Sequence, residues 1–138
     1  MSKAAVILDT GPLVAYLWET EPRHGWAVEQ IAALVDPPFT CEPVLTETFF
    51  LLGRVPGGRE RLFDLLSSEA VVVDFAISLH IRALDLLIRK YRDLPMSLAD
   101  ACLVRMAEQR RGAAVLTLDR HFSIYRLHGR QPIPTIMP

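Results

Sequence analysis

The chain has 138 residues, 51% of them apolar and 22% charged, with a formal net charge of −1. That length suits one domain with a real core, and the composition excludes a disordered chain. No apolar run nears the roughly 20 residues a membrane span requires, and the near-neutral balance argues against a general nucleic-acid binder.

Reading from the start, MSKAAVILDTG runs straight into a strand-like segment, so no signal peptide and a cytoplasmic location are expected. Residues 4–9 are continuously apolar before Asp9, which predicts a buried strand. Thr10, as N-cap, and Pro12 then open a short helix through Trp18. Pro22 opens a second helix with Trp26, Ile31 and Leu34 on its apolar side, and Pro37-Pro38 ends it. Residues 39–41 form a short strand, and Pro43 starts a third helix to about Leu52. GRVPGGRER (53–61) reads as a loop, followed by a short helix over 61–67. Residues 70–75 (AVVVDF) predict another buried strand. A helix over 76–92 presents Leu79, Leu84, Leu87 and Ile88 as core candidates. Pro95 separates it from a helix over 97–111 that stops at Gly112, and 113–119 (AAVLTLD) is a further buried strand. Ile133–Ile136, between prolines, predicts a last edge strand. Helices alternating with short, unalternating apolar strands predict an α/β domain, a parallel sheet covered on both faces, over residues 1–138. The two cysteines, Cys41 and Cys102, lack metal-ligand spacing and read as buried reduced thiols.

Four acids stand out. Asp9 and Asp119 end apolar strands, at the edge where such sheets bind ligands. Asp100 opens a helix, and Glu47 interrupts VLTETFFLL, three residues after Val44 and just before Phe50 and Leu51, on or beside an apolar stripe. Ordinary explanations exist for three of them: strand closure, a turn cap, and a capping box at Ser97–Asp100. Together they suggest a bound cation, because buried carboxylates are costly unless paired or metal-bound, and all-oxygen clusters suit Mg²⁺ or Mn²⁺. Asp74 also follows an apolar run and is not separated from them by pattern alone. Charge is uneven along the chain: residues 1–50 carry seven acids and two bases, residues 51–138 nine acids and thirteen bases. A basic face around an acidic pocket suits a nuclease, although solvated helix faces give the same count.

The segments VILDTGPLVAYL, LTETFFLL, SLADACLV and VLTLDRHFSIY, in this order over residues 6–125, resemble the PIN-domain ribonucleases, in particular the VapC-type toxins of prokaryotic toxin–antitoxin pairs. The resemblance implies a three-layer α/β/α sandwich with a central parallel sheet and metal-dependent endonucleolytic cleavage of RNA. It implies a pocket of Asp9, Glu47, Asp100 and Asp119 around Mg²⁺ or Mn²⁺, with Thr10 and Thr117 as polar neighbours, Ser97 as a weaker one, and Arg120 on the RNA backbone. It also implies a homodimer and an antitoxin in the groove, for which Trp18, Phe49 and Gly53–Arg61 are anchor candidates. One departure is Asp119-Arg120-His121-Phe122, where many members carry a second acid in a D-x-D-F pattern. This predicts a weakly held second metal, and His121, before a core Phe, reads as structural, with contact to a phosphate or metal as the other reading. His24, His80 and His128 show no ligand spacing. Three other readings compete: an aspartic protease, from the D-T-G triplet at residues 9–11, which the helical content opposes; a non-catalytic RNA- or partner-binding module; and an RNA-processing nuclease of the same fold.

Overall fold

The structure is a computed structural model and describes residues 4–138; residues 1–3, including Lys3 of the charge count, lie outside the described residues. In chain order the elements are β1 (Val6–Leu8), α1 (Thr10–Leu17), α2 (His24–Ala32), β2 (Phe39–Thr40), α3 (Glu42–Leu51), α4 (Gly58–Ser67) and β3 (Val72–Val73). They continue with α5 (Ile81–Lys90), α6 (Leu98–Gln109), β4 (Ala114–Leu116), β5 (Arg126–Leu127), β6 (Gln131–Pro132) and β7 (Thr135–Ile136). Five strands form one parallel sheet in the order β3-β2-β1-β4-β7, flanked by helices, which is the α/β/α sandwich expected from sequence. An antiparallel hairpin of β5 and β6 stands apart from it and was not foreseen.

The central strands are short because each is buried on both faces and need only cross the core once. Ile7, Leu8, Val115 and Leu116 are fully buried. Helix α6 buries eight of its twelve residues, against β1, β4, α3 and α5. Burying each large aliphatic side chain contributes about 1.5–3 kcal/mol, so α6 and the β1/β4 pair anchor the fold. Cys41 and Cys102 are buried and free.

Several expected elements differ. Asp9, not Thr10, caps α1: its backbone is already extended and its side chain accepts the Thr10 N–H. Helix α2 starts at His24, two residues past Pro22, and ends before Leu34. The expected loop 53–61 is a 3₁₀ turn over Leu52–Arg54 followed by the start of α4 at Gly58, with Gly57 in the left-handed region (φ 71°) making the turn. Residues 70–75 are not a buried strand: β3 is two residues long at the sheet edge, and Val73 is 38% exposed. The helix over 76–92 is broken at His80 into a 3₁₀ turn (Ile77–Leu79) and α5, which leaves Leu79 exposed rather than in the core. The edge strand near the C-terminus forms as β7, pairing with β4.

Candidate active site

Strand register brings the first two acids together. β1 and β4 are neighbours with Leu8 opposite Leu116, so Asp9 and Thr117 emerge side by side at the carboxyl edge of the sheet. This is where strand order reverses, the usual ligand position in such sheets. The Asp9 N–H donates to Leu116 O at 3.0 Å. Asp9 Oδ2 accepts from the Thr117 hydroxyl at 2.7 Å, and Oδ1 from the Thr10 N–H at 2.7 Å. Thr117 Oγ1 in turn accepts the Asp119 N–H at 2.9 Å, so one buried hydroxyl ties the two aspartates. The side chain of Gly11 is absent where it matters: a Cβ there would lie 3.2 Å from Leu118. The α1 turn and the segment after β4 therefore approach closely, which brings Asp119 toward Asp9.

Asp100 arrives from α6, whose N-terminus lies at the same edge. Ser97 Oγ accepts the Asp100 N–H at 3.0 Å, and Asp100 Oδ2 accepts the Ser97 N–H at 3.3 Å, the capping box expected from sequence. The same Oδ2 accepts from the Tyr125 hydroxyl at 3.0 Å. Glu47 comes from α3, where Oε2 accepts from the Thr10 hydroxyl at 2.8 Å. Contrary to the stripe argument, Glu47 is exposed: the buried face of α3 is Val44 and Thr48, while Phe50 and Leu51 are 78% and 48% exposed. It reaches the site from a solvated flank rather than from the core.

Asp9, Thr10, Gly11, Glu47, Pro95, Ser97, Asp100, Leu118, Asp119 and His121 line one open cleft of about 480 Å³. A larger cavity, about 520 Å³, lies at the opposite sheet edge and is lined mainly by apolar side chains, with Asp36 its one acid. Asp74 is not in the cleft; it pairs with Arg110 at 2.6 Å. His121 lines the cleft with its ring half exposed and Nδ1 3.3 Å from Asp119 Oδ1, so its surroundings are not those of a core residue. Its N–H donates to Asp119 Oδ1 at 2.9 Å. Arg120 is exposed beside Asp119. Tyr125 had no sequence signal, because nothing before folding links it to Asp100, 25 residues upstream.

Among the described residues, none of the four cleft carboxylates is ion-paired with Lys or Arg. The cost falls on the most buried one: burial pushes the Asp9 carboxyl up to about 6, against the lowering bonds from Thr117 and Thr10, with the charges of Asp100 and Asp119 adding to the rise. Burial, then the charge of Asp100, also raises Tyr125, keeping it a neutral donor. Among the described residues no three His, Cys, Asp or Glu side chains converge into a ready-made metal cage. Mg²⁺ does not require one, since it commonly keeps several waters and takes one or two carboxylates. Oxygen-only donors, unneutralised charge and a destabilised Asp9 fit a hard divalent cation.

The family model described as PIN domain matches residues 6–126. This chain belongs to the PIN-domain family. Within it, the chain is 32% identical to Ribonuclease VapC26 of Mycobacterium tuberculosis over 124 residues, 88% of this chain and 92% of that protein, and it is a PIN domain of the VapC type. The crystal structure of Mycobacterium tuberculosis VapC20, titled a sarcin-ricin loop cleaving toxin, matches this PIN domain with a TM-score of 0.68 at 23% identity. The match covers 80% of this chain and 87% of that one, and it bears on the fold. A parallel α/β sheet also removes the aspartic-protease reading of Asp9-Thr10-Gly11, since those proteases are almost wholly β.

Proposed function

We propose that this PIN domain is a Mg²⁺- or Mn²⁺-dependent endoribonuclease, the toxin of a toxin–antitoxin pair. The observation that carries the proposal is the gathering of Asp9, Glu47, Asp100 and Asp119 on one open cleft without a Lys or Arg partner. A divalent cation bound there supplies Lewis-acid activation of water and neutralises charge developing on the scissile phosphate. Asp9, Asp100 and Asp119 would hold the cation. Glu47 is oriented by the Thr10 hydroxyl on Oε2, and its Oε1, unbonded among the described residues, takes the proton of the attacking water. Thr10 and Thr117 fix the orientation of Glu47 and Asp9 through their hydroxyls.

The RNA backbone lies along the rim, held by Arg120 and by exposed basic residues of the second half without an ion-pair partner among the described residues, such as Arg92, which precedes the cleft residues Pro95 and Ser97. Other arginines of that half are used internally. Arg110 and Arg105 form ion pairs, Arg59 stacks on Phe49 at 4.0 Å, and Arg61 donates to Leu17 O at 2.7 Å. A cognate antitoxin occupies the cleft and silences it, with exposed Trp18 and Phe49 as apolar anchors. The chain works as a cytoplasmic homodimer. In support, no helix among the described residues is long and apolar enough to cross a membrane, and Phe50 and Leu51 offer an unpartnered apolar face.

The test is cleavage of structured RNAs by the purified chain with Mg²⁺ or Mn²⁺, beside EDTA and Asp100→Asn. Metal-dependent cleavage lost in the variant is the expected result. Absence of both cleavage and metal binding in the wild type sinks the enzyme reading in favour of a binding module, and an adjacent short antitoxin gene separates a toxin from an RNA-processing nuclease.

A further inference from the structure

The tie on Asp100 comes from a residue with no role in the reading above. Tyr125 is fully buried, 0% exposed. Its ring is clamped edge-on by Tyr91 and Phe122, with centroids at 5.0 and 5.2 Å. Tyr91 accepts the Arg126 N–H at 3.0 Å, so the backbone after Tyr125 is pinned as well. The phenol cannot swing to water, and Asp100 Oδ2 is its one partner among the described residues. An unpartnered buried hydroxyl is costly, so this bond is retained whatever occupies the cleft. The terminal torsion of an aspartate is otherwise broad and weakly restrained, and the second bond on Oδ2, from Ser97 N, is long at 3.3 Å.

We propose that Tyr125 is the positioning residue of Asp100. Its buried O–H commits Oδ2 to the protein and presents Oδ1 alone to the cleft, presetting one cation ligand. This rests on the cleft's being a cation site. The segment after Asp119 thereby sets the orientation of an acid on α6. Outer partners of this kind set metal affinity or activity by about 10–100-fold.

The experiment is a Mn²⁺ titration followed by electron paramagnetic resonance of the free ion, on the wild type, Tyr125→Phe and Phe122→Leu. Circular dichroism and thermal denaturation in EDTA accompany each. Tyr125→Phe keeps the ring and is expected to weaken Mn²⁺ binding about 10-fold or more. Phe122→Leu disturbs the same aromatic block without touching Asp100; it is expected to lower Tm and to hold Mn²⁺ within about twofold of wild type, since it removes no outer partner of a ligand. Equal affinity in Tyr125→Phe and wild type overturns the role, as does loss of affinity in both variants in proportion to lost stability, or failure of Tyr125→Phe to fold. A wild type that takes up no Mn²⁺ overturns the cation reading itself, and the role with it.

Discussion

Replacing Asp9 by Asn should make the metal-free protein more stable while removing its capacity for metal. The wild-type carboxyl moves from an ordinary 3.8 to about 6 on folding, chiefly through burial. At about 1.4 kcal/mol per pKa unit, the ionised form costs the folded state about 3 kcal/mol at neutral pH. The folded state binds more protons than the unfolded one between pH 3.8 and 6. Stability from this group is therefore fully present below that window and lost as pH rises through it. Asn is neutral at all pH and keeps the shape. Its amide faces the Thr117 hydroxyl or the Thr10 N–H less well than a carboxylate does, at a cost of about 1 kcal/mol. The net gain at pH 7.5 is about 2 kcal/mol, or about 5–8 °C in Tm for a chain of this size. Differential scanning fluorimetry in EDTA at pH 7.5 and pH 4 reads this directly, and the gain should vanish or reverse at pH 4. Added Mn²⁺ should raise the wild-type Tm and leave Asp9→Asn where it was, because a ligand stabilises only the state that binds it. A variant less stable than wild type at pH 7.5 in EDTA, or a difference independent of pH, would refute the argument that burial strains Asp9.

Thr117→Val should cost about 2–3 kcal/mol in chemical denaturation, because it leaves both Asp9 Oδ2 and the Asp119 N–H without their shared partner; Thr117→Ser should recover most of it. Glu47→Gln should lower kcat for RNA cleavage by about 10²-fold or more. Since Glu47 is exposed, its Tm should stay near wild type, and a large stability loss would argue against a role confined to the reaction. Arg120→Gln should weaken RNA binding and flatten its salt dependence in filter-binding or anisotropy titrations.

Local chemistry was enough to read the sheet class and the strand ends at Asp9 and Asp119. A continuous apolar run that stops at a charge has few other structural meanings in a 138-residue chain. The capping box at Ser97–Asp100 was legible for the same reason, since a cap is decided by four consecutive residues. Glu47 was reached by a faulty route. Its spacing from Phe50 and Leu51 suggested a buried stripe, but those side chains are exposed, and helical periodicity cannot say which apolar side chains the rest of the chain covers. The 76–92 helix failed at His80 for a related reason: apolar periodicity continued through a backbone break that it does not register.

What the sequence determined by itself was the alternation of elements, the acids at their ends and the family to which they belong. Tertiary structure alone decided that β1 pairs with β4 in the register that sets Thr117 against Asp9, and that Asp74, equally placed by pattern, turns to Arg110 instead. It also put Tyr125 beneath Asp100. Pairing register and side-chain contact between distant segments arise from burial of the whole core, and no local run of residues encodes them.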